Sequence, residues 1–477
     1  MIQMKKPNIL VVLADQLRAF NSPPFEQQVS LPGMEAMIAD GVRFDQALST
    51  YPLCTPFRGM FMTGRHPQST GIFLNFTSTR YSEIGLGDVF THAGYRTGYV
   101  GKWHLNRGAF PSEAMDFIPE GRPRLGFDYW RTYNCHVDFW DGHINGKDWE
   151  NEKWKGYETD GLYRYAEEFI AEENEKPWFL VVSPHQPHWN WKDVSAPGEY
   201  YDRLPAKLEF PPNVPEFYRD QPGVQEQYRH YLAMTMAMDE MLAKLRKLAG
   251  PETLVIFTSD HGTQMGAQAI PRDSPTQCWG KSRPHEESIR VPFFASWGGR
   301  IPKGTVRQEL FTPVDFLPTL CGLAGVPIPR SVEGIDLSSA FVGEEPGVAR
   351  DAAYLMNFIN YRNSPNLIRT DGNEWRGLRT HRHTYVEWRE GERMLYDLEA
   401  DPGQMHNLAG QPGHAAMERE LAGRLHDEMV VRNDALHPSD HYRAWLDPER
   451  RIIRNAWGPL PHPEAPPDWS LLVPRSR

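Results

Sequence analysis

The sequence predicts a large α/β domain, a mostly parallel sheet between layers of helices, followed by a smaller C-terminal α+β subdomain with an antiparallel sheet. Three observations carry this. First, short apolar runs end in polar or charged residues: NILVVLAD (8–15), GYRTGYVGKW (94–103), WFLVVSPH (178–185) and TLVIFTSDHG (253–262). Continuous runs of this length suit strands buried on both faces of a parallel sheet. Second, helical patterns lie between the runs, the clearest being YRHYLAMTMAMDEMLAKLRKL (228–248). Its apolar residues recur at spacings of three and four, and basic residues sit near its C-terminal end. Its Met234, Met236, Met238 and Met241 are expected to pack the core. Third, the texture changes after about residue 350: WRGLRTHRHTYVEW (375–388) and RMLYDLEADPGQMHNLAG (393–410) read as short antiparallel strands ending in a DPG turn, with a helix near 414–430.

A chain of 477 residues suits one large unit plus a smaller one. The expected boundaries are 1–350 for the catalytic unit, 351–436 for the subdomain and 437–477 for an irregular tail rich in Pro, Trp and Arg. That tail is a candidate for wrapping a neighbouring part of the chain or a partner subunit, and the second would make the chain a homo-oligomer. A formal charge of -11 argues against a nucleic-acid partner, which would call for a basic face. The cysteines Cys54, Cys135, Cys278 and Cys321 are widely spaced and form no CxxC pair, which fits a reducing compartment. Lys5 and Lys6 precede the apolar run ILVVLA as in a signal peptide. Pro7, the shortness of the run and the DQLR that follows favour a buried strand instead. With no run long enough to span a bilayer, no membrane partner is expected, and the expected location is cytoplasmic.

Open α/β sheets bind ligands beyond the carboxyl ends of their strands. Here those ends carry Asp15-Gln16, Lys102 with His104, His185, and Asp260-His261. Two carboxylates, an amide oxygen and an imidazole suit a divalent cation, and the oxygen-rich set favours Ca²⁺, Mg²⁺ or Mn²⁺ over zinc. Each acid alone also reads as a helix cap or loop former.

The stretch YPLCTPFRGMFMTGRHP (51–67) sets a lone cysteine between Pro52 and Pro56, four residues before Arg58. A helix is expected to begin just after the cysteine, which would place residue 54 near free N–H groups that favour an anion. Arg58, one turn in, is positioned to hydrogen-bond back to residue 54 or its loop. Local physics leaves two readings: a small buried thiol, which comes first, and a nucleophile of depressed pKa.

Longer motifs change that order. CTPFRGMFMTG (54–64) resembles the sulfatase signature C-x-P-x-R with its following T-G, and GYRTGYVGKWHL (94–105) resembles the second sulfatase signature. PNILVVLADQ, SPHQP (183–187), TSDHG (258–262), GKSRPHEESIRVPF (280–293), TPVDFLPTLCGLAGVP (312–327) and LYDLEADPGQMHNLA (395–409) continue the likeness in order from residue 7 to about 410. The resemblance implies an alkaline phosphatase-like fold and hydrolysis of a small-molecule sulfate ester. It further implies that a formylglycine-generating enzyme oxidises Cys54 to Cα-formylglycine, whose hydrate has one oxygen to attack sulfur and a second to expel sulfate.

By the same resemblance, Asp15, Gln16, Asp260 and His261 are the metal ligands, with Asp260 a candidate to accept the nucleophile's proton. Arg58 and Lys102 hold the formylglycine hydrate, and His104 is the base that drives sulfate elimination. His185 and Lys281 bind sulfate and assist departure of the alcohol, with His188 close enough to take the role of His185. Lys102 also belongs to the substrate-binding set.

The remaining residues singled out have ordinary readings. His381 and His383 read as surface histidines, and Trp103 as packing. Tyr129, Trp130, Tyr133, Phe139 and Trp140 read as packing before a pocket lining. The segments 105–160 and 186–225 and the tail are expected to set substrate choice.

Three letters depart from the common pattern. Phe57 replaces a frequent serine, Gln16 a frequent second aspartate, and His261 a frequent asparagine. The last two make Mn²⁺ a stronger alternative to Ca²⁺, which stays first. The Asp-Gln and Asp-His pairs also resemble phosphonate monoester and phosphodiester hydrolases, the second reading. An inactive binding relative is the third.

Overall fold

The computed structural model describes residues 6–19, 28–107, 117–146, 152–188, 194–269, 280–359 and 374–473. The strands in chain order are β1 (Ile9–Ala14), β2 (Val42–Phe44), β3 (Arg96–Lys102), β4 (Tyr129–Tyr133), β5 (His143–Ile144), β6 (Glu152–Lys153), β7 (Trp178–Ser183), β8 (Leu254–Ser259), β9 (Phe293–Ser296) and β10 (Thr305–Arg307). They are followed by β11 (Ala352–Asn357), β12 (Trp375–Thr380), β13 (His383–Trp388) and β14 (Arg393–Asp397). An eight-stranded sheet runs in the order β10-β2-β9-β8-β1-β7-β3-β4. Its neighbours are parallel except at β9, which is antiparallel to both β8 and β2. A second, four-stranded antiparallel sheet runs β11-β12-β13-β14.

All four apolar runs are strands of the large sheet, and three of them, β8, β1 and β7, lie side by side at its centre. The signal-like run ILVVLA is the central β1, with every residue buried. Its side chains alternate between two layers, as the two-residue repeat of a strand requires. Leu10, Val12 and Ala14 join a cluster with Leu162, Phe169, Met234, Met238 and Leu242, whereas Ile9, Val11 and Leu13 join one with Phe57, Phe61, Phe90, Leu317 and Leu320. The first layer is built on the helices Glu158–Ala171 and Val224–Ala249, the second on Cys54–Thr63, Leu86–His92 and Phe316–Ala324. The long central helix thus spans a little more than the periodicity predicts, and its four methionines are core residues.

The helix at the cysteine begins at Cys54 itself, with Leu53 as the capping residue, rather than just after it. Pro56 is tolerated inside this helix because it lies in the first turn, where N–H groups have no intrahelical partner. Cys54 and Arg58 are one turn apart and both reach the carboxyl edge of the sheet. Phe57 and Phe61 stack with centroids 6.4 Å apart and pack edge-on against Phe316. Position 57 therefore faces the core, in the same cluster as Phe61 and Leu317.

Strands β12 and β13, the turn at Pro402 and Gly403 and the helix Ala415–Val431 lie where the sequence placed them. The sequence reading named two stretches of this sheet and did not single out β11, whose AAYLMN pairs along its length with β12. His381 is exposed in the turn after β12, and His383 is half-buried on β13. From residue 437 the chain turns back over the large unit. Arg80 Nη2 donates to the carbonyls of Pro461 (2.7 Å) and His462 (3.1 Å), and Arg330 N donates to Leu471 (2.9 Å). Cys278 lies outside the described residues; none of Cys54, Cys135 and Cys321 is in a disulfide. Among the described residues no helix is long and apolar enough to cross a membrane.

Candidate active site

The central strands end level with one another: Ala14 pairs with Ser259, and Gly101 with Ser183. The turns that follow are tied together, with Asp15 N donating to Gln186 O (3.2 Å) and Asp260 N to Ala14 O (3.1 Å). Gly101 permits this closeness. A Cβ there would lie 2.2 Å from Ser183 O, and its φ of +96° is one that glycine tolerates best. All the residues proposed from the motifs converge at this edge, fully or largely buried.

Cys54 Sγ sits in the middle. Lys281 Nζ lies 3.1 Å away, His261 Nε2 3.2 Å, Asp15 Oδ1 3.8 Å and Lys102 Nζ 3.9 Å. Burial and Asp15 push the Cys54 thiol up, but Lys102 and Lys281 outweigh them and leave it below its ordinary value. Arg58 directs its bonds past residue 54. Nε donates to Asp260 Oδ2 (3.3 Å), and Nη1 to Lys102 O (2.8 Å) and Ser183 Oγ (2.9 Å). Nη2 stands 3.6 Å from Asp15 Oδ2. This differs from the expected bond back to residue 54, because the two carboxylates behind the helix attract the guanidinium more strongly than a thiol does.

Lys102 pairs with Asp15 and also donates to His185 Nε2 (3.1 Å), while Lys281 donates to His188 Nε2 (2.8 Å). Burial and the neighbouring ammonium groups hold both imidazoles well below the usual histidine range, so each accepts as a neutral ring. Their rings are 4.8 Å apart, so His188 shares this side of the site with His185. His104 has a positive φ (54°), and its ring meets Phe76 edge-on at 4.9 Å. Its two ring nitrogens are buried without a hydrogen-bond partner. Burial, then Lys102 and Arg58, keep it neutral at physiological pH, the state a base requires.

Asp15, Cys54, Asp260 and His261 each offer an atom within 4.8 Å of the others. Gln16, also at positive φ (66°), donates its N–H to Asp260 Oδ1 (3.1 Å), while both polar atoms of its buried carboxamide lack a partner. His261 Nδ1 bonds the Gly262 carbonyl (2.8 Å), which leaves Nε2 facing Asp15 and Asp260. Two carboxylates, an orphaned amide and an imidazole with its other nitrogen committed fit a divalent cation.

Sequence reasoning missed Asn75, whose Oδ1 accepts from Thr55 N (3.0 Å) beside the nucleophile, and Glu158, buried behind His185. Asn75 carries no motif, and Glu158 reads as an ordinary acid in the first turn of a helix. Among the singled-out aromatics, Trp103 and Trp130 pack on each other, and Tyr133 and Phe139 back His185 with centroids 6.0 Å from its ring. Tyr129 is half-buried, and Trp140, 41% exposed, is the open one.

Lysines and neutral histidines ringed around a nucleophile position, over a cation pocket at the edge of a doubly wound sheet, define an ester hydrolase of the alkaline phosphatase superfamily. The family model described as Sulfatase matches residues 7–326, and the chain belongs to the sulfatase family, whose members hydrolyse sulfate esters. A second model, N-sulphoglucosamine sulphohydrolase, C-terminal, matches residues 277–430. An ulvan-active sulfatase of Formosa agariphila is 34% identical over 92% of this chain and 84% of its own length. Among solved structures, a sulfatase in complex with its substrate D-glucosamine-2-N,6-O-disulfate superposes with a TM-score of 0.74, 21% identity and coverage of 91% of this chain and 100% of that one. A phosphonate monoester hydrolase of Silicibacter pomeroyi superposes with a TM-score of 0.69, 19% identity and coverage of 90% and 96%.

Proposed function

We propose that this sulfatase removes sulfate from the hydroxyls of a sulfated saccharide, with residue 54 acting as formylglycine beside one divalent cation. The observation that carries this reading is Cys54 in the first turn of a buried helix, flanked by Lys102 and Lys281 and facing the cation pocket. The ulvan-active relative and the neighbour complexed with a disulfated glucosamine support a sulfated sugar as the substrate class.

The aldehyde hydrate supplies one oxygen to attack sulfur and another whose deprotonation expels sulfate. A cation held by Asp15, Gln16, Asp260 and His261 would lower the pKa of that oxygen and stabilise charge on the transferred group. The chain's own residues do the rest. Lys102 and Lys281 hold the anionic sulfate oxygens, and Arg58 fixes Asp260 and the end of β3. Burial and then the Lys102 ammonium depress His185; a bound sulfate ester offsets the second and so favours the protonated ring that delivers a proton to the departing alcohol. His104, neutral and unpartnered, takes the proton that releases sulfate. Residues 54–63 are entirely buried, so the oxidising enzyme must read Cys54, Pro56 and Arg58 before the chain folds.

A panel of aryl sulfate, alkyl sulfate, sulfated saccharide, phosphodiester and phosphonate monoester tests the reading. The highest kcat/KM is expected on the saccharide sulfate. A dominant rate on either phosphorus ester would overturn it in favour of the hydrolases that share this fold.

The donor set supports Ca²⁺, with Mn²⁺ favoured by the imidazole nitrogen. Exchanging Gln16→Asp together with His261→Asn restores a charge and replaces nitrogen by oxygen. The pair should raise the Ca²⁺-to-Mn²⁺ affinity ratio by about tenfold or more, about 1.4 kcal/mol. Metal content after equilibrium dialysis against mixed ions measures this, and an unchanged ratio would refute these two positions as ligands.

A further inference from the structure

We infer that Glu158 is the positioning residue of the leaving-group side: its carboxylate holds the turn that aims His185 into the site. This rests on the proposed role of His185 in protonating the alcohol.

The carboxylate takes three donors, each from a group behind or on that turn. Helix capping is not its role, since none of these bonds goes to its own helix. Oε1 accepts from His185 N–H (3.2 Å) and from the Tyr133 hydroxyl, and Oε2 accepts from Gln186 Nε2 (3.0 Å). Gln186 in turn accepts from Asp15 N through its carbonyl (3.2 Å), so the same turn also touches the first residue of the cation pocket. On the other face of the turn, His185 Nε2 meets Lys102 Nζ at 3.1 Å. Glu158 thus fixes the backbone of the residue whose ring is aimed at the reacting atoms.

A purely structural reading explains this poorly. Glu158 is 1% exposed, and Lys102, the cation that acts on its carboxyl, is itself paired with Asp15. Burial pushes its carboxyl up to about 7, even though the donors from Tyr133, His185 and Gln186 pull it down. Burying a carboxyl is costly even with three donors, and an apolar side chain would fill the volume at lower cost. Such arrangements gather where a catalytic group has to be held in place.

The test is Glu158→Gln, which removes the charge and leaves one acceptor oxygen for donors that now use two. Proton delivery matters most for a poor leaving group. We expect kcat on a saccharide sulfate to fall by about 10²-fold, the lower end of acid–base contributions, with KM little changed. On 4-nitrophenyl sulfate, whose leaving group needs no proton, the loss should stay below about threefold. Equal losses on the two substrates, or none on either, would overturn the inference. In a His185→Ala background the same change should add less than about twofold, and full additivity would also overturn it. If Glu158→Gln does not fold, Tyr133→Phe removes one of the three donors and should show the same split at smaller size; equal losses there refute the inference. The His185 imidazole ¹³C signal, observed at fixed pH in the Glu158→Gln protein, reads positioning without turnover, and an unmoved signal counts against it. A wild-type chain that cleaves no sulfate ester would instead refute the proposed function, and the His185 signal would still decide the positioning.

Discussion

Replacing Cys54 by alanine is expected to abolish sulfate ester hydrolysis while leaving the fold in place. Nucleophiles that act as a unit with their bases account for losses on the order of 10⁶-fold when removed, and this residue has both partner groups and an unusual history. Its Sγ lies within hydrogen-bonding reach of Lys281 and His261, so a replacement oxygen at this position would be placed among cations and metal ligands. The cysteine itself contributes little packing. The helix is anchored instead by Phe57 and Phe61 in the core, by Arg58 on the carboxylates and by Asn75 on Thr55 N. The melting temperature of Cys54→Ala should therefore move by no more than about 2 °C, the equivalent of about 1 kcal/mol. Mass spectrometry of the peptide carrying residue 54, with an aldehyde-reactive probe, is expected to find the modification in any active wild-type preparation. An active enzyme whose residue 54 is entirely a thiol would sink the mechanism.

Arg376→Ala is expected to give the largest loss of stability, about 3–5 kcal/mol, because it strands a buried carboxylate. Arg376 on β12 makes two bonds to Asp434 (2.6 and 2.9 Å) and one to the Tyr442 hydroxyl (2.9 Å). Asp434 also accepts from Gln68 (2.7 Å) and from the Tyr354 hydroxyl (2.8 Å). The Arg376–Asp434 pair thereby joins the small sheet, the segment after the helix Ala415–Val431, the tail through Tyr442, and the short helix Pro67–Thr70 through Gln68. Burial pushes the Asp434 carboxyl up, but Arg376 and the hydrogen bonds outweigh this and hold it below its ordinary value. A depressed folded pKa means the contribution is whole above the unfolded carboxylate range, about pH 4, and is lost as pH falls through the lower folded value. Chemical denaturation at pH 7 should show the full loss for Arg376→Ala, and the gap to wild type should narrow in acid. Replacing the pair together, Arg376→Met with Asp434→Leu, should recover part of the stability, since no charge is then left unpaired. A single variant as stable as wild type at pH 7 would refute the role of this junction.

Much of the fold was legible because its central strands are buried on both faces. β1, β7 and β8 carry nearly unbroken apolar runs, and the helix Val224–Ala249 shows its period over many turns. The flanking strands were not legible, because β2 and β10 have three residues each, too few for a pattern, and β4 alternates polar and aromatic letters like a loop. Within the site, the motif letters marked Cys54, Arg58, Lys102, His104, Asp260, His261 and Lys281. Single letters whose partners are distant in sequence carried no such mark. Asn75 meets Thr55 and Glu158 meets His185 through contacts that local spacing does not encode.

By itself the sequence determined the central strands and marked Cys54 as part of a family motif, since strand burial and a motif are both properties of short contiguous segments. Only the tertiary structure decided how the groups divide the work around that residue. It turned Arg58 toward Asp260, brought His188 beside His185, left the Gln16 amide without a hydrogen-bond partner, and set Glu158 behind the backbone of His185. Those outcomes depend on charges and hydrogen bonds between segments far apart in the chain, whose energies exist only once the sheet has brought its strand ends together.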